Sequence, residues 1–303
     1  MTTAPATRRA PISVVVPTRN RPEMLKICLE RIIEVLAPGD ELVVVDSAST
    51  TDKVRLVAMQ HELIYVRSEK PGSSLARNIG WKTARHHIVA FVDDDVRVYE
   101  GWADSIARAF EDPNVSLLTA RVSIPAGQNP ERPVAVTYDT DPHVIDAGSE
   151  TAFESSACCA FRREVLEAVG GFDERLGIAT WFGAAEDSDL FDRVRRAGFR
   201  GRYEPSVQAE HDQWRDRRQL LALEWRYGKG MGAHLWLVSN RAADNARRQA
   251  HSALWKNGLR KLGPAIRTHH EFLILCEILR FSGTVFGFFT AVIRLRRASW
   301  PLA

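Results

Sequence analysis

Little in this sequence points to disulfides, secretion or nucleic acid. Four cysteines in 303 residues, Cys28, Cys158, Cys159 and Cys276, are too sparse for a disulfide scaffold, and none stand in the CxxC spacing of a metal or redox site. The opening MTTAPATRRAPISVV has no apolar signal core ahead of the first strand-like run. A reducing, cytoplasmic setting is the expectation that follows. Zinc-finger spacing, an RNP signature and a basic zipper are all missing, so the basic residues are not expected to serve nucleic acid. No internal repeat is evident.

What is present is ample apolar material and an uneven charge. With 45% hydrophobic residues the chain can bury one full-sized core and carry an appendage. Its net charge of +3 hides a polarity. Residues 201 to 303 hold 17 Lys/Arg against 8 Asp/Glu, a net of +9, and residues 1 to 200 hold 24 against 30, a net of −6. The last third is therefore expected to face something anionic, and a membrane surface suits it better than nucleic acid.

Val/Ile-rich runs alternate with helical patterns through the first two thirds. PISVVVPTRNRP reads as a buried strand over residues 12 to 16 and a turn, with Pro22 set for a first helical turn. Leu25, Cys28, Leu29, Ile32, Ile33 and Leu36 then recur at helical spacing until APGD. ELVVVDSAS, ELIYV and HIVAFV supply three more strand-like runs, with a helix expected over residues 75 to 85. Such alternation implies a parallel sheet covered on both faces. Residues 120 to 150, rich in Pro, Asp and Gly, read as loop or short irregular strands. SSACCAFRREVLEAVGGFDE reads as an extended segment, a helix ending at Gly170-Gly171 and a turn. AAEDSDLFDRVRRAGF reads as a helix with Gly198 as its stop, and GRYEPSVQAEH as a strand. Beyond about residue 215 the chain turns helical, Trp-rich and basic.

Polar residues close the strand-like runs: Pro17-Thr18-Arg19-Asn20, Asp46-Ser47 and Asp93-Asp94-Asp95. Ligands of open α/β sheets bind at the carboxyl ends of the strands, so these ends are expected to aim their chemistry at one crevice. Three adjacent acids call for positive charge, and carboxylates there suit a hard cation, Mg2+ or Mn2+, that carries substrate phosphates. A solvated turn is the plainer reading. Glu186, Asp187 and Asp189 crowd a helix start, where the dipole favours negative charge, so capping competes with a general-base role for Asp187. His211 is either an ordinary histidine or an imidazole ligand. Arg77, in ARNIGW, either holds a diphosphate through planar charge-assisted hydrogen bonds or is an ordinary exposed arginine. Cys158 and Cys159 are expected to be small buried residues.

Taken in order, SVVVPTRNRPEMLKICLERI, ELVVVDSAST, GSSLARNIGWKTARHHIVAFVDDD, AFRREVLEAVGGFDE and EDSDLFDRVRRAGF resemble the motifs of glycosyltransferase family 2. These are inverting, nucleotide-sugar-dependent enzymes of the GT-A fold, and the resemblance covers about residues 11 to 212. It implies an α/β, GT-A (Rossmann-like) domain over residues 11 to 215, with a mixed, mostly parallel sheet and helices on both faces. A flexible tail at 1 to 10 would precede it, and a basic helical C-terminal region at 216 to 303 would follow. By the same resemblance Pro17, Thr18 and Asn20 line the nucleotide pocket, Asp46 holds the base, and Arg77 sits near base and diphosphate. Asp93 and Asp95 form the DxD pair, Asp95 being the direct metal ligand with Asp93 and His211 beside it, and Asp94 lies near the ribose or sugar. Asp187 matches the catalytic base, and Glu186, with Trp181, the acceptor or sugar contacts. The implied reaction moves a sugar from a UDP-, GDP- or dTDP-sugar to a hydroxyl of a sugar, lipid-linked or glycan acceptor in envelope glycan, glycolipid or polysaccharide synthesis. It implies Mn2+ or Mg2+ and no covalent intermediate. Asp46-Ser47-Ala48-Ser49 and SSACCAFRR depart from the family pattern, and both bear on donor preference.

Two other readings have distinct signatures. A sugar nucleotidyltransferase would open with a glycine-rich loop where PTRNRP stands, and a non-catalytic nucleotide-sugar-binding or interaction protein would be expected to lose the DxD or the Glu-Asp pair. In the tail, residues 272 to 297 are long enough to span a bilayer, but Glu277 and Arg280 interrupt them. An interfacial or re-entrant helix is expected, with Arg294, Arg296 and Arg297 at anionic headgroups on the cytoplasmic face of the membrane. The alternative is a helix packed on its own domain or on a second subunit.

Overall fold

The computed structural model describes residues 9–146, 156–241, 263–264, 266–267 and 269–295. Most of the expected tail at 1 to 10, and Arg296 and Arg297, lie outside them. Packing divides the chain into two units. The first takes residues up to Asn129, Pro133–Phe172 and Leu190–Gln213; the second takes Pro130–Arg132, Asp173–Asp189 and the chain from Trp214 onward. Compared with a division at residue 215, the main difference is the stretch 173–189, which carries Trp181, Glu186 and Asp187.

In the first unit β1 (Ile12–Thr18), β2 (Glu41–Ser47), β3 (Ile64–Ser68) and β4 (Ile88–Val92) pair in parallel in the order β3-β2-β1-β4. Every residue of β1, β2 and β4 is buried, which is why their sequences are continuous Val/Ile runs rather than alternating ones. Three helices join them: α1 (Pro22–Val35), α2 (Lys53–Ala58) and α3 (Ser73–Thr83). α1 begins on Pro22 and buries Leu25, Cys28, Leu29 and Ile32 of the helical-spacing set, while Ile33 is exposed and Leu36 lies just past the helix end. Past β4 the sheet becomes mixed. β8 (Cys158–Arg162) runs antiparallel to β4, β6 (Leu117–Ser123) antiparallel to β8, and β9 (Gly201–His211) parallel to β6. β5 (Val96–Val98) and β7 (His143–Ile145) each pair antiparallel with β9.

Alternation along the strands splits the core between the two sheet faces. Val14, Val16, Leu29, Trp102 and Ile106 belong to one cluster, the last two from α4 (Trp102–Ala109). Val15, Val43, Val45, Phe91, Phe161 and Phe172 belong to the other, closed by Val165 and Leu166 of α5 (Arg163–Val169) and by Leu190, Phe191 and Val194 of α6 (Glu186–Arg196). Phe91 meets Phe161 and Phe172 edge-on at centroid distances of 6.0 and 5.3 Å, geometry that adds about 0.5–1.5 kcal/mol per pair beyond burial. The turn after α5 needs glycine. Gly171 has φ +69°, and a Cβ there would lie 2.6 Å from Asn78 Oδ1. That oxygen accepts the Phe172 N–H at 2.8 Å while Asn78 Nδ2 donates to the Phe172 carbonyl at 2.9 Å, so ARN and GGFD form one bracket.

α2, α4, β5 and β6 were not anticipated from the sequence. Within residues 120 to 150, β6 ends and β7 forms, and residues 147 to 155 lie outside the described chain.

The second unit contains α7 (Arg217–Arg241) and α8 (Glu271–Arg294), which run in parallel. Their backbones touch through glycine: a Cβ at Gly232 would lie 2.1 Å from the Thr284 carbonyl, and one at Gly287 would lie 2.1 Å from that of Lys229. Such small-residue contacts permit backbone approach without a side-chain layer.

Candidate active site

The carboxyl ends of β1, β2 and β4 do carry the polar residues together. Register places Thr18 beside Asp46, and on the other side β1 pairs with β4 only as far as Val15 with Phe91, leaving Pro17 and Thr18 beyond that ladder. Asp93, Asp94 and Asp95 form the tight turn between β4 and β5, closed by the Val96 N–H on the Asp93 carbonyl at 3.1 Å.

Each acid of that turn has a separate partner. Arg77 Nη2 donates to Asp93 Oδ1 at 2.6 Å. Arg21 forks between the other two, with Nη2 2.6 Å from Asp94 Oδ1 and Nη1 2.9 Å from Asp95 Oδ2. Thr18 Oγ1 donates to Asp94 Oδ2 at 2.7 Å. The positive charge demanded by three adjacent carboxylates thus comes, within the chain itself, from two arginines. Arg21 stands at the start of α1, and sequence reading passed it over because its partners lie more than seventy residues away.

Burial shapes the electrostatics. Asp94 is fully buried, and desolvation pushes its carboxyl up to about 7; Arg21 and the Thr18 hydrogen bond pull the other way, while the Asp95 and Asp93 charges add to the rise. Burial pulls Arg21 down, but the attraction of Asp94, Asp95 and Asp93 outweighs it and the guanidinium is held above its usual value. The buried thiol of Cys28 is raised well above the ordinary range by desolvation, and that of Cys158 to about 12. All four cysteines are free and buried, as suits packing rather than nucleophilic work.

His211 ends β9 opposite Val96, which sets its Nε2 3.4 Å from Asp95 Oδ1; both side chains are buried. Gln213 holds the ring. Its Oε1 accepts the Val134 N–H at 2.9 Å, and its amide nitrogen, which donates to the Val134 and His211 carbonyls at 3.0 and 2.9 Å, lies 3.1 Å from His211 Nδ1. Asp95 and His211 fit a shared divalent cation, having one hard oxygen and one nitrogen donor in a buried pair. Asp93 does not join them: it is taken by Arg77, and no group of three or more His, Cys, Asp and Glu gathers around a common point among the described residues. The chain thus offers two ligands, and oxygens of a bound substrate would have to complete the shell.

At the carboxyl end of β2 a second polar cluster is built around Asp46. Its Oδ1 accepts the Ser49 N–H at 2.8 Å, and its Oδ2 accepts the Tyr65 hydroxyl at 2.8 Å and Arg67 Nη1 at 3.0 Å. Tyr65 and Arg67 stand two apart on β3 and so share a face, a signal present in the sequence but attached to no motif. Asn20, in the left-handed region at φ 56°, accepts the Thr50 N–H at 2.8 Å, so its carbonyl ties the β1–α1 and β2–α2 turns together.

In the second unit Glu186, Asp187 and Asp189 occupy the first turn of α6, after Ala185 at φ 72°. Glu186 and Asp189 are buried and Asp187 is half-buried. Asp189 is committed to structure, with Arg241 Nη1 2.5 Å from its Oδ1, and Asp187 Oδ1 accepts the Ser188 N–H at 2.8 Å. Trp181 is half-exposed with the Arg294 guanidinium 3.6 Å from its ring centre, so one ring face is covered by a cation.

A family model described as "Glycosyl transferase family 2" matches residues 13–170. The chain is 31% identical over 230 residues to a "Pre-mycofactocin glycosyltransferase" of Mycobacterium tuberculosis (strain ATCC 25618 / H37Rv), a match covering 72% of this chain and 46% of that protein. It is 26% identical to "Glycosyltransferase AglE" of Haloferax volcanii, covering 80% and 79%. Among solved structures, the mannosyltransferase PcManGT from Pyrobaculum calidifontis, in complex with GDP-Man and Mn2+, superposes with TM-score 0.64 at 21% identity, over 94% of this chain and 88% of that one. The fold is therefore the GT-A fold of that neighbour, and the chain belongs to glycosyl transferase family 2.

Proposed function

We propose that this chain transfers a sugar from a nucleoside-diphosphate sugar to an acceptor hydroxyl, with inversion at the anomeric carbon. The observation that carries the proposal is the acidic turn 93–95 at the ends of β1 and β4, flanked by two arginines and a buried histidine. Asp46, with Tyr65 and Arg67, presents acceptors and donors to a nucleobase. Arg77 and Arg21 supply planar donors for the two phosphates, whose charge substitutes for that of the aspartates they now hold. A divalent cation on Asp95 and His211, Mn2+ or Mg2+, would add Lewis-acid neutralisation of the departing diphosphate.

Asp187 then acts as general base. It takes the acceptor proton as the hydroxyl oxygen bonds to the anomeric carbon, the bond from that carbon to the diphosphate oxygen breaks, and the electron pair leaves with the nucleoside diphosphate. Its half-exposed carboxylate suits the role better than buried Asp189, which is paired with Arg241. The relatives carry the names of sugar-transferring proteins, and PcManGT was solved with GDP-Man and Mn2+, which supports the donor class and the cation without naming the sugar here. A glycan or lipid-linked acceptor of the cell envelope is the proposed substrate class.

A donor screen tests this. The protein is incubated with Mn2+ and each common UDP-, GDP- and dTDP-sugar while slow release of free nucleoside diphosphate is followed. Release from one donor, lost in Asp187→Asn, is the expected result. Tight nucleotide binding with no release from any donor, even with acceptor extracts added, would favour a non-catalytic nucleotide-sugar-binding protein.

A further inference from the structure

The two charges that interrupt the apolar segment 272–297 do not interrupt its outer face. Glu277 Oε1 lies 2.8 Å from Arg132 Nη1, Arg280 Nε lies 2.5 Å from Glu224 Oε2, and Arg132 Nε reaches Glu224 Oε1 at 3.0 Å. Both residues are thus turned into the second unit and neutralised there. The inner stripe, with Cys276, Gly283, Gly287, Phe288 and Ala291, is buried.

What remains outside is an apolar stripe. Leu275, Ile278, Phe286, Phe289 and Ile293 are exposed, Ile293 to 74% and Phe289 to 61%, and Ser282 fills the one gap in their spacing of three and four. From 275 to 293 the stripe runs about 27 Å at the helical rise. α8 is long and apolar enough by length and composition to cross a bilayer, but one side of it packs backbone-to-backbone on α7, whose residues Arg217, Arg218, Arg226 and Lys229 are charged. A helix with lipid on one side and a charged helix on the other lies along a membrane.

Charge identifies which membrane. Residues 241 to 270 hold 7 Lys/Arg against 1 Asp/Glu, a net of +6, and residues 294 to 303 hold 3 against none, a net of +3. The apolar stripe is therefore bracketed along the chain by basic segments. At its carboxyl end Arg294 stacks on the half-exposed Trp181, with Lys229 Nζ 5.5 Å from the same ring and donating to the Trp181 carbonyl at 2.7 Å. An amphipathic indole beside two cations is the arrangement of a headgroup-level anchor. A second copy of the chain would bring like basic segments together, whereas an anionic lipid surface complements them.

We propose that the exposed face of α8, with Trp181, Lys229 and Arg294 at its end, docks on an anionic phospholipid bilayer, lying in the interface rather than spanning it. This gives Trp181 an interfacial task in place of a sugar contact, and it holds whether or not the transfer reaction proposed above is the chain's activity.

Vesicle co-sedimentation of the full chain tests it, using phosphatidylcholine alone and an equimolar mixture with phosphatidylglycerol. Binding to the mixed vesicles is expected to be about tenfold or more tighter than to the neutral ones and to weaken as salt is raised. Phe289→Glu, at a position exposed enough to accept the charge, is expected to lose about tenfold of that binding with an unchanged thermal midpoint, and Phe289→Trp to keep it. Equal binding of parent and Phe289→Glu, or equal binding of the parent to both vesicles, would overturn the proposal. So would absence of vesicle binding together with a dimer that Phe289→Glu dissolves, since a second copy would then cover the face.

Discussion

The two units handle buried charge in opposite ways. At the sheet ends of the first, three adjacent aspartates are held by Arg21 and Arg77, with one carboxyl, Asp94, buried enough to sit near its protonated form. In the second, Glu224 and Glu277 are each met by arginine, and the network leaves α8 apolar outside. One arrangement concentrates charge at the strand ends, where the proposed diphosphate would exchange partners with it. The other removes charge from a surface. The same residue types therefore signal a site in one place and a scaffold in the other, and only their partners distinguish the two.

The sharpest way to break this contrast is at α6. Asp187→Asn is expected to lower turnover by about 10²–10⁴-fold, the range of general-base catalysis, while nucleotide affinity measured by calorimetry stays within about twofold. Its neighbour Asp189, a structural ion pair, should behave differently: Asp189→Asn lowers the thermal midpoint first and turnover only through it.

Next in size is the second unit's network. Arg132→Met leaves two buried glutamates short of a partner and is expected to cost about 3–5 kcal/mol in chemical denaturation. Gly232→Leu, which forces a side chain into the α7–α8 backbone contact, should cost about 2–4 kcal/mol.

A smaller effect sharpens the comparison from the other side. Asp94 has its carboxyl raised to about 7 in the folded chain, against an ordinary value near 3.8 when unfolded. Folding thus favours the protonated form, a contribution fully present below about pH 4 and lost as pH rises through about 7. Asp94→Asn mimics that form, so its effect on the stability of the metal-free protein should be most favourable near pH 8 and shrink toward acid pH. Thermal melts across pH measure it. The smallest expected change is at Arg21: Arg21→Gln releases Asp95, so Mn2+ binding without nucleotide should tighten several-fold, read by calorimetry with no turnover involved.

Legibility in the sequence followed the same division. β1, β2 and β4 were plain because strands buried on both faces need unbroken Val/Ile runs, and α1 because Leu25, Cys28, Leu29 and Ile32 keep one helical face. β6 was missed because Leu117–Ala120 is buried without alternation and Thr119 interrupts its apolar run, and β5 because three residues carry no period. Of Asp93, Asp94, Asp95 and His211, singled out from strand ends and motif order, Asp95 and His211 come within 3.4 Å of each other, while Asp93 and Asp94 turn to Arg77 and Arg21. Arg21, Tyr65 and Arg67 were not, because each acts through a partner brought near only by folding. The outward character of α8 was hidden for the same reason: Glu277 and Arg280 count as interruptions until their partners are known.

The central claim is that the acidic turn is a cation-assisted diphosphate site. Calorimetric titration of GDP and UDP into the parent and into Asp95→Ala, each with and without Mn2+, tests it most directly. The account predicts that Mn2+ tightens one nucleotide by about tenfold or more in the parent and has no effect in Asp95→Ala. Nucleotide affinity indifferent to Mn2+ in the parent, or the same Mn2+ dependence in both proteins, would contradict it.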